Sequence, residues 1–164
     1  DERIKLSIGS ATSVPFEDGM ADLVVMFHVG MNIADKKTLF SEAARVLKSG
    51  GHFALFDVMR GENAEDLAFP VPWSGVPETS HVDAPEIYRD MAAAAGLDLV
   101  TERDRRQFAL DFFARVFEHI AANGQPPLGI HLLTGDTAGE KIQNYVANAE
   151  SGRIAPVEMI FKRP

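Results

Sequence analysis

The chain has 164 residues, 46% hydrophobic and 24% charged, enough for one ordinary core, so a single domain is expected over 1–164. A formal charge of -8 repels nucleic-acid phosphates and anionic membranes at long range, and no apolar run reaches the length of a membrane span. With no cysteine there is neither a disulfide framework nor a thiolate metal site, which leaves a small molecule as the expected partner and the cytoplasm as the default location.

Ile4, Leu6 and Ile8 alternate with Lys5 and Ser7 before Gly9, the period-two pattern of a short strand over 3–8. After a loop containing Pro15 and Gly19, the run Leu23-Val24-Val25-Met26-Phe27 suits a strand over 21–27 buried on both faces of a parallel sheet. Leu39, Phe40, Ala43, Val46 and Leu47 recur at helical spacing over 35–49, and Gly50-Gly51 is expected to stop that helix in a left-handed conformation. A buried strand over 52–58 follows, so strand, helix and strand fit one right-handed crossover unit.

Residues 60–83 contain Pro70, Pro72, Gly75 and Pro77 and read as a long irregular loop. Asp83 and Glu86 form a capping pair for a helix over 84–95 that Gly96 closes, and 97–105 reads as a strand. Phe108, Phe112, Phe113, Val116, Phe117 and Ile120 form one apolar face of a helix over 108–122, read first as core, with a ligand box and a dimer face as the alternatives. Another helix begins at Thr137, with Glu140 as its capping partner, and ends near Gly152. The last strand, 157–162, alternates Val157, Met159 and Phe161 with Glu158 and Lys162, which fits a strand near a sheet edge better than a central one. The repeated alternation of strand and helix makes the fold class α/β.

Residues 8–60 also carry ordered motifs. Gly9-Ser10-Ala11 follows the first strand, and Val14-Pro15-Phe16-Glu17-Asp18-Gly19-Met20-Ala21-Asp22 leads into the second. Glu42-Ala43-Ala44-Arg45-Val46-Leu47-Lys48-Ser49-Gly50-Gly51 precedes the third. This segment resembles the class I S-adenosylmethionine-dependent methyltransferases of the broad type 11 group, which includes quinone C-methyltransferases and glycine, sarcosine and dimethylglycine N-methyltransferases. The group's own pattern is G-D/N-A, then L-P-F-x-D-x-x-F-D, then E-x-x-R-V-L-K-P-G-G. Ser10 therefore stands in place of an acid or amide, and Ser49 in place of the usual proline.

The resemblance implies a Rossmann-like methyltransferase sheet with helices on both faces and a helical insertion over about 106–153. The family's first two strands, with their G-x-G-x-G turn, have no counterpart in the sequence. The expectation is therefore a carboxy-terminal part of one domain that binds S-adenosylmethionine weakly or not at all by itself and is inactive alone. Loss of those strands would leave the edge of the 21–27 strand free, to pair with 3–8 directly or to be covered by a second copy in a homodimer.

Site residues follow from the same resemblance, because ligands of open α/β sheets sit beyond the carboxyl ends of the strands. Ser10 and Ala11 correspond to the adenine-binding position, and Met26, Phe27 and His28 to further cofactor contacts. His28 is also the candidate catalytic base, since an imidazole titrates near neutral pH; a backbone-bonded polar residue at a strand end is the alternative. Met31, Asn32, Asp57, Arg60, Trp73 and His81 are the candidate acceptor contacts. Each has a plainer alternative: a turn residue at Asn32, a local ion pair for Asp57 and Arg60, packing for Trp73, and an exposed helix entry for His81. Five scattered histidines without paired ligand spacing predict no metal site. Methyl transfer relies on holding donor and acceptor in line, so it needs no catalytic triad. The expected function is transfer of a methyl group to a small-molecule acceptor; a non-catalytic dimerising module and a nicotinamide dehydrogenase are the alternatives.

Overall fold

Alternating apolar side chains build two different faces on one sheet. The computed structural model describes residues 3–164. Strand β1 (Ala21–Phe27) leads through a 3-10 turn at Gly30–Asn32 and helix α1 (Lys36–Val46) into β2 (Leu47–Arg60). Helix α2 (Pro85–Ala94), β3 (Asp98–Asp104), α3 (Arg106–Asn123), a short α4 (His131–Thr134), α5 (Ala138–Glu150) and β4 (Ile154–Lys162) follow. The strand order is β1-β2-β4-β3; β1 pairs with β2 in parallel, and β4 is antiparallel to both β2 and β3.

Period two decides which residue faces which layer. On β2, Phe53, Leu55 and Met59 point to the side covered by α1 and α2; on β4, Ala155, Val157, Met159 and Phe161 do the same. These side chains close around Phe40 and Tyr88, whose rings meet edge to face at 5.8 Å. Val58 and Ile154 have the opposite parity and pack with Tyr145 and Ala149 of α5, beside Leu110 and Phe113 of α3. The sheet thus carries helices on both faces, as the family resemblance implies.

Several local expectations are corrected. Residues 4–9 form no strand: Leu6 and Ile8 lie almost fully in solvent, because no sheet edge receives them. Direct pairing of this segment with β1 is overturned with it. β1 is an edge strand, and Leu23, Val25 and Phe27 are exposed instead of buried on both faces, while Met26 turns into the core. Helix α1 ends at Val46, before the glycines, because Leu47 is extended (φ -71°, ψ 142°) and fully buried. Gly50, at φ 81°, instead shapes an irregularity inside β2, where the register jumps from Ala21 opposite Leu47 to Leu23 opposite His52.

Asp83 does not cap α2; it pairs with the buried Lys36 ammonium at 3.1 Å, and Ala84 takes the cap position without a side-chain bond. Thr137 likewise makes no capping bond to α5. β4 starts at Ile154 and is paired on both sides, one place in from the edge; the edge itself is β3, exposed at every residue but Thr101. Finally, Ala109 is the only buried residue of α3; the phenylalanine face is a wall and not core.

The Glu42 and Arg45 pair of the third motif has a structural task. The Arg45 guanidinium donates to Glu42 at 2.7 Å, to Asp18 at 2.6 Å and to the carbonyl oxygens of Val14 and Phe16. Glu42 accepts from the Val14 N–H at 3.1 Å. One helix turn thereby pins the loop that enters β1, so that the loop and strand end are placed together.

Candidate functional site

Two clefts meet the carboxyl-terminal part of β1. The first is a cavity of about 550 Å³ between the sheet, the 60–76 loop, α3, α4 and α5. Phe56, Trp73, Phe108, Phe112, Phe113 and Tyr145 form its aromatic wall. The second, about 460 Å³, lies along the open edge of β1, where Ala11, Phe16, Leu23, Met26 and Phe27 line it with only apolar side chains.

His28 stands where the strand gives way to the turn. Its backbone has φ 53°, the left-handed region that a residue with a Cβ seldom adopts, and its N–H donates to the Phe56 carbonyl at 2.9 Å. That bond extends the β1–β2 ladder by one residue and turns the ring toward the first cavity, edge to face with Phe56 at 5.1 Å. Partial burial holds its pKa below the usual 6.5, so the imidazole is neutral near pH 7 although the residue still meets solvent.

Met31 and Asn32 follow on the 3-10 turn and line the same cavity. Trp73 closes it from the loop side; its indole N–H donates to the Ser80 hydroxyl at 3.0 Å, and its ring lies edge to face with Tyr145. Four of the expected site residues, His28, Met31, Asn32 and Trp73, therefore share one cavity.

The others do not join them. Asp57 has the parity of Phe53 and Leu55, so it points to the opposite face of the sheet, fully buried, where it accepts from the Tyr88 hydroxyl at 2.8 Å. Burial pushes its pKa up to about 6, against the opposing pull of the Tyr88 bond, the Val58 and Met31 N–H groups and the Lys36 charge. It supports the 3-10 turn from below: a Cβ on Gly30 would lie 2.9 Å from the Tyr88 hydroxyl and inside contact distance of the Asp57 carboxylate. Arg60 is held by the Ala64 and Glu65 carbonyls at 3.0 and 2.9 Å and lines a separate shallow cleft. His81 acts through its backbone, donating to Met31 and accepting from Lys36 at 2.7 Å, and its ring is not on the cavity wall. Ser10 accepts from the Thr12 N–H at 3.2 Å in a local turn, and Ala11 reaches the second cleft with Met26 and Phe27.

Sequence reasoning missed the residues that hold the loop over the cavity. Asn148 of α5, fully buried, binds both the N–H and the carbonyl of Ala68 at 2.9 Å, and Asn144 donates to the Pro70 carbonyl at 2.9 Å. The signal was present: Asn144 and Asn148 are four apart on a helix whose Ile142, Tyr145 and Ala149 form the buried stripe. Tyr145 and Phe56 were also missed as cavity residues, and Phe112 and Phe113 fall to the second reading of their stripe, a ligand box, because an aromatic side chain at helical or strand spacing reads first as core.

Residues 1–55 match a family described as "Methyltransferase domain". A sarcosine/dimethylglycine N-methyltransferase from Aphanothece halophytica is 24% identical over 169 residues, covering 99% of this chain and 59% of that protein. A second enzyme of that name, from Halorhodospira halochloris, is 28% identical over 71% of this chain and 41% of its own length. The chain thus spans well under two thirds of these relatives. In fold it is similar to the geranyl diphosphate C-methyltransferase of Streptomyces coelicolor A3(2), with a TM-score of 0.70, 17% identity and coverage of 96% of this chain and 52% of that one. The opening third of the chain is thus similar to a methyltransferase domain, and its sheet has the fold of solved methyltransferases.

Proposed function

We propose that the protein transfers a methyl group from S-adenosylmethionine to a small-molecule acceptor held in the aromatic cavity, with His28 at the junction of the two clefts. The observation that carries this reading is the left-handed His28 at the end of β1, with the apolar cleft of Met26 and Phe27 on one side and the cavity on the other. A strained non-glycine residue at a strand end facing a cavity is a functional candidate on physical grounds. The named relatives above favour this reading over a nicotinamide dehydrogenase.

Ala11, Met26 and Phe27 fit the flat adenine, since their cleft has only apolar walls, and the exposed Ser10 hydroxyl is the polar group beside it. No carboxylate side chain lines that cleft, so no residue is assigned to the ribose diol. When bound, S-adenosylmethionine would supply an electrophilic methyl group to the acceptor's lone pair, with the electrons of the sulfur–methyl bond left on sulfur. The chain's own residues do the rest. Met31, Asn32 and Trp73 hold the acceptor and exclude water, and the neutral His28 ring receives the proton that a hydroxyl or amine acceptor gives up.

His28→Gly tests the reading, because glycine accepts φ 53° without strain and removes only the imidazole. Thermal stability should hold or rise while methyl transfer, followed with radiolabelled S-adenosylmethionine, falls about 100-fold or more. Unchanged turnover would leave His28 as a turn residue. Trp73→Ala should weaken acceptor binding more than cofactor binding; equal losses would make Trp73 a packing residue only.

A further inference from the structure

Among the described residues, the side chains lining the aromatic cavity include no lysine, arginine, aspartate or glutamate. Its polar side chains are His28, Asn32, Thr134, the Tyr145 hydroxyl and the Trp73 indole N–H, the last already donated to the Ser80 hydroxyl. Asn32 already donates to the Val29 carbonyl, and the Thr134 hydroxyl donates to the Ile130 carbonyl at 3.0 Å. His28 is neutral near pH 7 and Tyr145 is held far above its usual range by burial, so no wall residue brings a formal charge to the cavity.

An ion entering such a cavity gives up its hydration shell and meets no opposite charge in return. A carboxylate or a diphosphate is disfavoured further by the net charge of -8. An ammonium finds aromatic faces, but no carboxylate to fix it. The volume lies inside the range of roughly 300–1,000 Å³ typical of sites that enclose a drug-sized ligand, far larger than an amino acid needs. Both arguments point the same way, although the matched relatives are named for a charged amino acid and a diphosphate.

Resting on the methyltransferase reading above, we infer that the acceptor is an uncharged, largely hydrocarbon molecule with a single polar reacting group, of terpenoid or aromatic-alcohol type, and neither a zwitterionic amine nor a phosphorylated compound. The hydrocarbon body lies against Phe108, Phe112, Phe113 and Trp73, and the reacting group lies toward His28 and Asn32.

The test uses the uncharged fluorophore N-phenyl-1-naphthylamine, displaced in turn by geraniol, geranyl diphosphate and sarcosine. Geraniol should displace it at concentrations at least tenfold below geranyl diphosphate, and sarcosine should not displace it. Phe112→Asp, at a half-exposed position on the wall, should weaken the fluorophore at least tenfold, whereas Val100→Asp, exposed on the far edge strand β3, should not. Thr134→Arg, at a partly exposed wall position, should bring geranyl diphosphate level with geraniol by supplying the missing cation.

Displacement by sarcosine, tighter binding of the diphosphate to the unaltered protein, or indifference to both wall variants would overturn the inference. S-adenosylhomocysteine binding, measured separately by calorimetry on the full-length protein, keeps the two readings apart. If it binds and geraniol does not, the acceptor class is wrong and the methyltransferase reading stands. If geraniol binds and it does not, geraniol is a ligand but no acceptor, and both readings fall.

Discussion

The two faces of the sheet are made of similar residues and used differently. Under α1 and α2, the rings of Phe40, Phe53, Tyr88 and Phe161 are sealed from solvent and meet one another at centroid distances of 5.5 to 6.3 Å. Under α3 and α5, Phe108 and Phe112 remain 53% and 46% exposed and surround open space. Apolar surface on the first face has already left water and stabilises the fold; on the second it is still wet, and the gain from its burial is available to a ligand.

That contrast is most sharply tested by paired truncations. Phe40→Ala should cost about 3–5 kcal/mol, because it removes a ring from a closed core, whereas Phe112→Ala should cost less than about 1 kcal/mol. Urea unfolding of both variants measures the difference. A cost for Phe112→Ala close to that of Phe40→Ala would mean that the second face is core after all.

A second test concerns charge on the closed face. Asp57 is an acid whose folded pKa, about 6, lies above the usual 3.8, so folding favours its neutral form. Its contribution is fully present below pH 3.8 and is lost as pH rises through 6, by about 3 kcal/mol at most. Asp57→Asn, which keeps an oxygen acceptor for Tyr88, should flatten the fall in stability between pH 4 and 7. An unchanged pH profile would show that Asp57 ionises as freely folded as unfolded.

The smallest effect is expected at the loop that covers the open face. Asn148→Ala leaves the Ala68 N–H and carbonyl without their partner and should cost about 2 kcal/mol. It should also raise the KM for the acceptor while leaving S-adenosylhomocysteine affinity alone. Equal effects on both ligands would place the loop over the junction instead of over the cavity.

Part of the site was legible in the residues. His28, Met31 and Asn32 follow a strand by one to five positions, and the carboxyl ends of strands are where α/β folds keep ligands, so their grouping with Trp73 needed only chain order and a loop long enough to return. Asp57 was readable in the other direction: counting in twos from Phe53 and Leu55 puts it on the core face, away from Phe56 and Val58. Arg60 and His81 were not readable, since each is held by loop backbone whose path depends on elements far along the chain.

From Ala21 onward the sequence by itself determined the order of the strands and longer helices and the α/β class, and its ordered motifs marked the family segment, because these follow from local spacing. Only the tertiary structure decided that β4 lies inside the sheet, that residues 4–9 find no partner strand, and that the α3 phenylalanines form a wall and not core. The physical reason is common to all three. Periodicity records that a residue has an apolar neighbourhood to meet, while whether packed side chains, another strand or an open cavity supplies it depends on contacts distant in sequence.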